Sequence, residues 1–163
     1  MTAHTAPITY EPEATVLVQP ALPDELDLVR ELAGAVGLYT SSATSQGSTY
    51  WIARRAGEAV GCIGMEHGIS ASLLRSLAVL PEARGLGVGR ALAQSALTLA
   101  SLRGDRAVYL FSSEAGAYWG RLGFAAVPVT ELEAALPVVP QVVSGLTRGW
   151  IHAEQAWKKD LPQ

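Results

Sequence analysis

The run Leu74-Arg75-Ser76-Leu77-Ala78-Val79, followed by Pro81-Glu82-Ala83-Arg84-Gly85-Leu86-Gly87-Val88-Gly89-Arg90-Ala91-Leu92, constrains this chain more than any other segment. A largely apolar strand passes through glycines into a helix within a few residues. Glycines at 85, 87 and 89 let the main chain bend and approach a ligand with no Cβ in the way. The free N–H groups and positive dipole end of the new helix attract an anion such as phosphate. Two familiar phosphate binders fail on spacing. A dinucleotide fingerprint, G-x-G-x-x-G, counted from Gly85 and Gly87 would need glycine where Arg90 stands. A P-loop needs lysine directly after its last glycine, and the first lysine here is Lys158. Taken alone, the segment is also compatible with an ordinary strand-to-helix connection.

What remains, Arg84-x-x-Gly87-x-Gly89 directly after a strand ending Leu77-Ala78-Val79, resembles the acetyl-CoA loop of the GNAT N-acetyltransferases. Downstream, after a short helical stretch, Gly120-Arg121-Leu122-Gly123-Phe124 is similar to that family's R-x-G-F element. Order and spacing agree across roughly residues 59 to 127. Within the family, Leu73 to Val79 preceded by Gly64-Met65-Glu66, and Val108 to Ser113 with an aromatic at 119, resemble the amino-acid branch. That branch includes the acetylglutamate synthase domain and small arsenic-resistance N-acetyltransferases.

The resemblance implies an α/β (α+β) GNAT fold. Its mixed central sheet has an antiparallel N-terminal meander, a splayed parallel pair flanking an acetyl-CoA slot, and helices on both faces. Composition is consistent with one globular domain: 163 residues are enough for a single core, 49% are hydrophobic and only 17% charged. A net charge of −3 argues against a nucleic-acid surface or an anionic-membrane patch. No uninterrupted apolar run is long enough for a membrane span. Cys62 is the only cysteine, so no internal disulfide forms, and a cytoplasmic address is expected. Residues 1–14 read as a loose tail and 15–163 as the domain; a homodimer is compatible with the family resemblance.

Periodicity places a strand at Thr15 to Val18, then a helix opened by Pro23-Asp24, with Asp24 as its cap, and closed by Gly37. Leu38 to Ser48 reads as an irregular loop, which the resemblance makes a candidate acceptor-binding loop. Tyr50 to Arg54, Ala59 to Glu66 and Ala71 to Val79 read as an antiparallel meander. Strict alternation along the last strand puts Leu73, Arg75, Leu77 and Val79 on one face. The helix after the glycines runs to Gly104, and Ala107 to Phe111 reads as a strand covered on both faces, parallel to Ala71–Val79. Glu114 to Leu122 reads as a helix and Phe124 to Val127 as a strand. Helical pieces broken by Pro137 and Pro140 follow, and His152 to Leu161 reads as a closing strand.

Acetyl transfer to an amine needs a held thioester, a neutral amine and a place for negative charge. The resemblance assigns the pantetheine arm to the exposed backbone of Leu77, Ala78 and Val79, and the pyrophosphate to Arg84, Gly85, Leu86, Gly87, Val88, Gly89 and Arg90, mainly through main-chain N–H groups. The Leu77 N–H is the candidate oxyanion donor. A protonated amine must lose its proton before attack, and Glu66 is the candidate base, against the alternative of an exposed hairpin glutamate. The family's general-acid tyrosine is replaced by Trp119, with Tyr118 one residue earlier; about 100° of helix rotation separates them, so only one can face the thiolate. Tyr118 is the candidate acid. On the resemblance the acceptor is a small amino acid or analogue, with Arg75 and Glu66 as candidate substrate residues and Arg75 clamping its carboxylate. Other amines (an antibiotic, a polyamine, a protein N-terminus) and a non-catalytic acetyl-CoA-binding module are the alternatives. Cys62 reads as core filler, Trp51, Trp150 and Trp157 as packing, and Lys158-Lys159 as a solvated pair. His4, His67 and His152 show no metal-ligand spacing.

Overall fold

The computed structural model describes residues 15–163. The tail read over 1–14, with His4, lies outside the described residues. Seven strands form one sheet in the order β1-β2-β3-β4-β5-β7-β6. β1 (Val16–Pro20), β2 (Ser48–Arg55), β3 (Glu58–His67) and β4 (Ala71–Val79) make an antiparallel meander. β5 (Ala107–Phe111) runs parallel to β4. β7 (Ala156–Asp160) inserts antiparallel between β5 and β6 (Ala125–Val127), so the last strand in sequence is internal and β6 forms the edge.

Helix α2 (Val88–Arg103) covers one face, packing Val88, Leu92, Ala93, Ala96 and Ala100 onto Leu74, Val108 and Leu110. On the other face lie α1 (Leu26–Ala35), over Ile52, Cys62 and Ala78, and the pair α4 (Val129–Ala135) and α5 (Pro140–Arg148), over Leu73 and Tyr109. A short helix, α3 (Gly116–Arg121), lies between β5 and β6. The two prolines act as expected: Pro137 falls after the end of α4 and Pro140 opens α5.

Two local readings are corrected. Asp24 does not cap the first helix; residues Pro23–Glu25 form a 3-10 turn in which the Glu25 carboxylate accepts the Leu22 N–H at 2.9 Å. Lys158 is not simply solvated, because its ammonium lies 3.3 Å from Glu131 and 3.2 Å from Asp160. Cys62 is buried core, its thiol pushed up to about 12 by desolvation, as its place among small residues implied.

Candidate active site

The site is built on the point where β4 parts from β5. Their parallel register runs from Ala71 opposite Ala107 to Leu74 opposite Leu110 and stops, leaving Arg75–Val79 without a partner on that side. On the other side Gly64 opposes Arg75 and Cys62 opposes Ala78, so Ser76 and Leu77 together face only Ile63. This is a β-bulge, and it carries Ser76 at φ +57°, a left-handed conformation that costs a non-glycine residue about 1 kcal/mol or more. The bulge shifts the alternation by one. Leu74, Leu77 and Val79 face α2, whereas Leu73, Arg75 and Ala78 belong to the opposite side. The strict alternation expected from sequence, with Arg75 and Leu77 on one face, is therefore wrong.

Beyond Val79, Gly85 and Gly87 take φ +80° and +78°, and Gly87 is the N-cap of α2 with no side-chain cap. The first backbone bond inside α2 runs from the Ala91 N–H to the Gly87 carbonyl at 3.0 Å, which leaves the N–H groups of Val88, Gly89 and Arg90 without intrahelical partners. They open onto a cavity of about 670 Å³ lined also by Leu77, Ala78, Val79, Arg84, Gly85, Gly87 and Tyr118. Of the loop residues singled out by sequence, Leu86 alone does not line it.

A second cavity, about 290 Å³, occupies the gap between the parted strands and is lined by Arg75, Ser76, Leu77, Phe111, Ser112, Glu114, Tyr118 and Trp119 among others. A third, about 450 Å³, lies beyond it against α5. Leu77 and Tyr118 are common to the first and second; Arg75, Ser76 and Phe111 are common to the second and third; Leu38, from the loop after α1, touches all three. The three form one continuous cleft from the glycine turn to α5. Of the 38–48 loop, Leu38, Tyr39 and Ser42 line this cleft.

Tyr118 and Trp119 both line the second cavity, but only Tyr118 also reaches the first. Trp119 is buried edge-on between Tyr118 and Phe124 in the core under α2. The Tyr118 hydroxyl is buried without a hydrogen-bond partner where the first two cavities meet, and desolvation raises its pKa. An orphaned buried hydroxyl is costly unless a ligand satisfies it.

Glu66 is not an exposed hairpin residue. Its side chain is wholly buried and paired with Arg75 Nη1 at 2.9 Å, and its other oxygen accepts the Gln141 main-chain N–H at 2.8 Å in the first turn of α5. Burial raises its pKa, while Arg75 and the Gln141 N–H oppose the shift. The carboxylate lines none of the three cavities. Arg75 lines two of them, but its guanidinium also donates to Ser42 Oγ (2.7 Å), Ser76 Oγ (3.1 Å) and the Tyr39 carbonyl (3.4 Å). With the Glu66 bond these contacts occupy all but one of its N–H groups. The bidentate clamp on a substrate carboxylate that sequence assigned to Arg75 has no free pair of donors.

Sequence reading missed the rest of the wall of the third cavity beyond Tyr39 of the 38–48 loop: Gln141, Arg148, Trp150 and Glu154. Gln141 and Arg148 sit seven residues apart on α5, two helical turns, so they lie on one side of it. That spacing was legible, but nothing in sequence said α5 would meet the mouth of β4. Trp150 is no mere packing residue; it stands edge-on to Phe111 at 5.3 Å and lines the cavity. Among the described residues no cluster of His, Cys, Asp or Glu could hold a metal, and no helix is long and apolar enough to cross a membrane.

Comparison with known proteins gives a matching sequence model for residues 46–126, that of the acetyltransferase (GNAT) domain. No curated protein matches the sequence. Among solved structures, N-acetylglutamate synthase from Neisseria gonorrhoeae, complexed with coenzyme A and N-acetyl-glutamate, superposes with TM-score 0.71 at 17% identity, over 93% of this chain and 36% of that one. The chain thus spans about a third of that synthase. A GNAT-family acetyltransferase from Staphylococcus aureus matches at TM-score 0.70 and 13% identity, covering 91% of this chain and 100% of the other. Nourseothricin acetyltransferase matches at 0.62 and 18%, covering 90% and 99%. Such distant likenesses establish the shared fold, while the acceptors named in these proteins differ.

Proposed function

From the premise that this chain belongs to the GNAT acetyltransferase superfamily, we propose that it moves an acetyl group from acetyl-CoA to the primary amine of a small amino acid or amino-acid analogue, by direct attack. The observation that carries this reading is the continuous cleft. An anion cradle at the N-terminus of α2, a gap between parted strands and a cavity beside α5 follow one another in the order that diphosphate, thioester arm and acceptor would occupy.

The free N–H groups of Val88, Gly89 and Arg90 bind the diphosphate, with the helix dipole adding to the attraction. The pantetheine arm runs along the unpaired side of Leu77–Val79. The bulge leaves Leu77 without a register partner, and its N–H is the donor for the oxyanion of the tetrahedral intermediate, a contribution of about 3 kcal/mol in comparable acyl-transfer sites. The amine, its ammonium proton already lost to solvent, forms its bond to the acetyl carbon; the C–S bond breaks with the electron pair leaving on sulfur, and the second proton lost from nitrogen passes to solvent or to the thiolate. Tyr118 then donates its hydrogen bond to the departing thiolate, which satisfies the otherwise orphaned hydroxyl. Glu66 acts behind the surface of the cleft, as a positioning residue that holds Arg75 and α5 in register.

The test is thiol release from acetyl-CoA by purified protein across amino acids, their phosphorus and arsenic analogues, polyamines and aminoglycosides. Release that depends on an α-amino acid or analogue is the expected result. Tight acetyl-CoA binding with no thiol released by any amine would leave a coenzyme-binding module without catalysis.

A further inference from the structure

The third cavity holds two opposite charges that do not neutralise each other. Arg148 lies over the Tyr39 ring at 4.9 Å and has no carboxylate within ion-pair distance among the described residues. Glu154 accepts the Ser113 hydroxyl at 2.6 Å and has no cation within ion-pair distance among the described residues. Between strand floor and helix wall, the Gln141 side-chain oxygen is buried without a partner. The remaining cation of the cavity, Arg75, is already neutralised by Glu66.

Resting on the acetyl-transfer reading above, we propose that Arg148 and Glu154 are the specificity-determining pair: Arg148 takes the anionic group of the acceptor and Glu154 meets its ammonium. The ligand class is a zwitterionic amine such as an α-amino acid. These two opposite charges line one cavity without pairing with each other, and a zwitterion meets both at once. An N–H of the acceptor also fills the Gln141 vacancy, removing the cost of a buried unpaired acceptor. Phe111 and Trp150, edge to face, give the acceptor side chain an aromatic wall. Tyr39 holds the Arg148 guanidinium at the cavity wall by cation–π contact. Glu154 also stands as the first proton acceptor for the ammonium, passing the proton to solvent at the open face of the cleft.

The test compares L-methionine and L-phenylalanine with their primary amides, in wild type, Arg148→Gln and Glu154→Gln, by thiol release, with acetyl-CoA affinity measured separately. Arg148→Gln is expected to raise KM for the amino acids about tenfold to a hundredfold, the range for a lost charged hydrogen bond, while leaving the amides little changed. Glu154→Gln is expected to raise KM for acid and amide alike, since both carry the ammonium. Taking the ratio of the two ratios cancels the different basicity of acid and amide amines. Wild type that favours the amides, or an acid-over-amide preference that survives Arg148→Gln, overturns the inference while leaving acetyl transfer intact. Coenzyme binding with no thiol released from wild type by any amine overturns the acetyl-transfer reading itself, and this inference with it.

Discussion

Glu66 and Arg75 form a buried ion pair, 2.9 Å apart, with side chains 0% and 1% exposed. The pair ties adjacent strands together, and the second Glu66 oxygen fastens the first turn of α5 to the same point. Breaking such a pair from one side strands a buried charge, which costs about 3–5 kcal/mol. Glu66→Ala is expected to lower stability by that amount in denaturant unfolding and, if the third cavity takes the acceptor as proposed, to raise KM for the acceptor more than for acetyl-CoA, because α5 walls only that cavity. A variant with wild-type stability, or one impaired chiefly in coenzyme binding, would contradict this role.

Gly87→Asp separates folding from coenzyme binding. A Cβ at Gly87 meets nothing within 4 Å, so the main cost to the fold is the φ of +78°, about 1 kcal/mol. The new carboxylate faces the bound diphosphate. Acetyl-CoA affinity is expected to fall at least a hundredfold by calorimetry, with thermal stability nearly unchanged; unchanged affinity would remove the 84–90 turn as the cradle.

Tyr118 and Gly89 are coupled. A Cβ on Gly89 would lie 2.9 Å from the Tyr118 hydroxyl, so Gly89→Ala displaces the ring from the junction of cradle and slot. Tyr118→Phe removes both the clash and an unsatisfied hydroxyl. The single Tyr118→Phe is expected to be as stable as wild type or slightly more so, with turnover reduced less than tenfold, since a thiol of pKa near 8.5 leaves without full protonation. Gly89→Ala is expected to weaken acetyl-CoA binding, and the double variant to recover part of the loss. Strictly additive effects would refute the coupling, and a hundredfold loss from Tyr118→Phe would make it an obligatory general acid.

His67 supplies a pH signature far from the cleft. Its ring contacts Thr49 Oγ1 at 2.8 Å and Ser72 Oγ at 3.2 Å, and Ser72 donates to buried Asp105 at 2.6 Å. Burial, and then Arg103, hold its pKa below the usual 6.5, against the opposing pull of Asp105. The unfolded chain therefore binds the proton at a higher pH than the folded one. This contribution to stability is full above about pH 6.5 and is lost as pH falls from there through the depressed folded value. His67→Gln should flatten the stability profile over that acidic window relative to wild type; an identical slope in both would refute the assignment.

Much of this architecture was legible because it rests on short-range chemistry. The boundaries of Ala71–Val79 and the capping glycines 87 and 104 follow from alternation and from φ demands that glycine meets cheaply. The bulge at Ser76–Leu77 was not legible, because two residues opposing one is a property of the pairing between β3 and β4 and leaves the β4 sequence looking regular. The burial of Glu66 escaped for a similar reason. Its partners, Arg75 and the Gln141 N–H, are 9 and 75 residues away, and only the packing of α5 on the sheet brings the latter to it. The wall of the third cavity, Arg148, Trp150 and Glu154, lay in segments that read as ordinary helix and strand ends. Its composition becomes informative only once the cavity exists.

The central claim is tested most directly by a crystal structure of the protein with acetyl-CoA. The account predicts the diphosphate within hydrogen-bond distance of the Val88, Gly89 and Arg90 N–H groups, the arm between Arg75–Val79 and Phe111, and the acetyl oxygen on the Leu77 N–H. A coenzyme bound with the glycine turn empty, or with its arm outside the gap between β4 and β5, would contradict it.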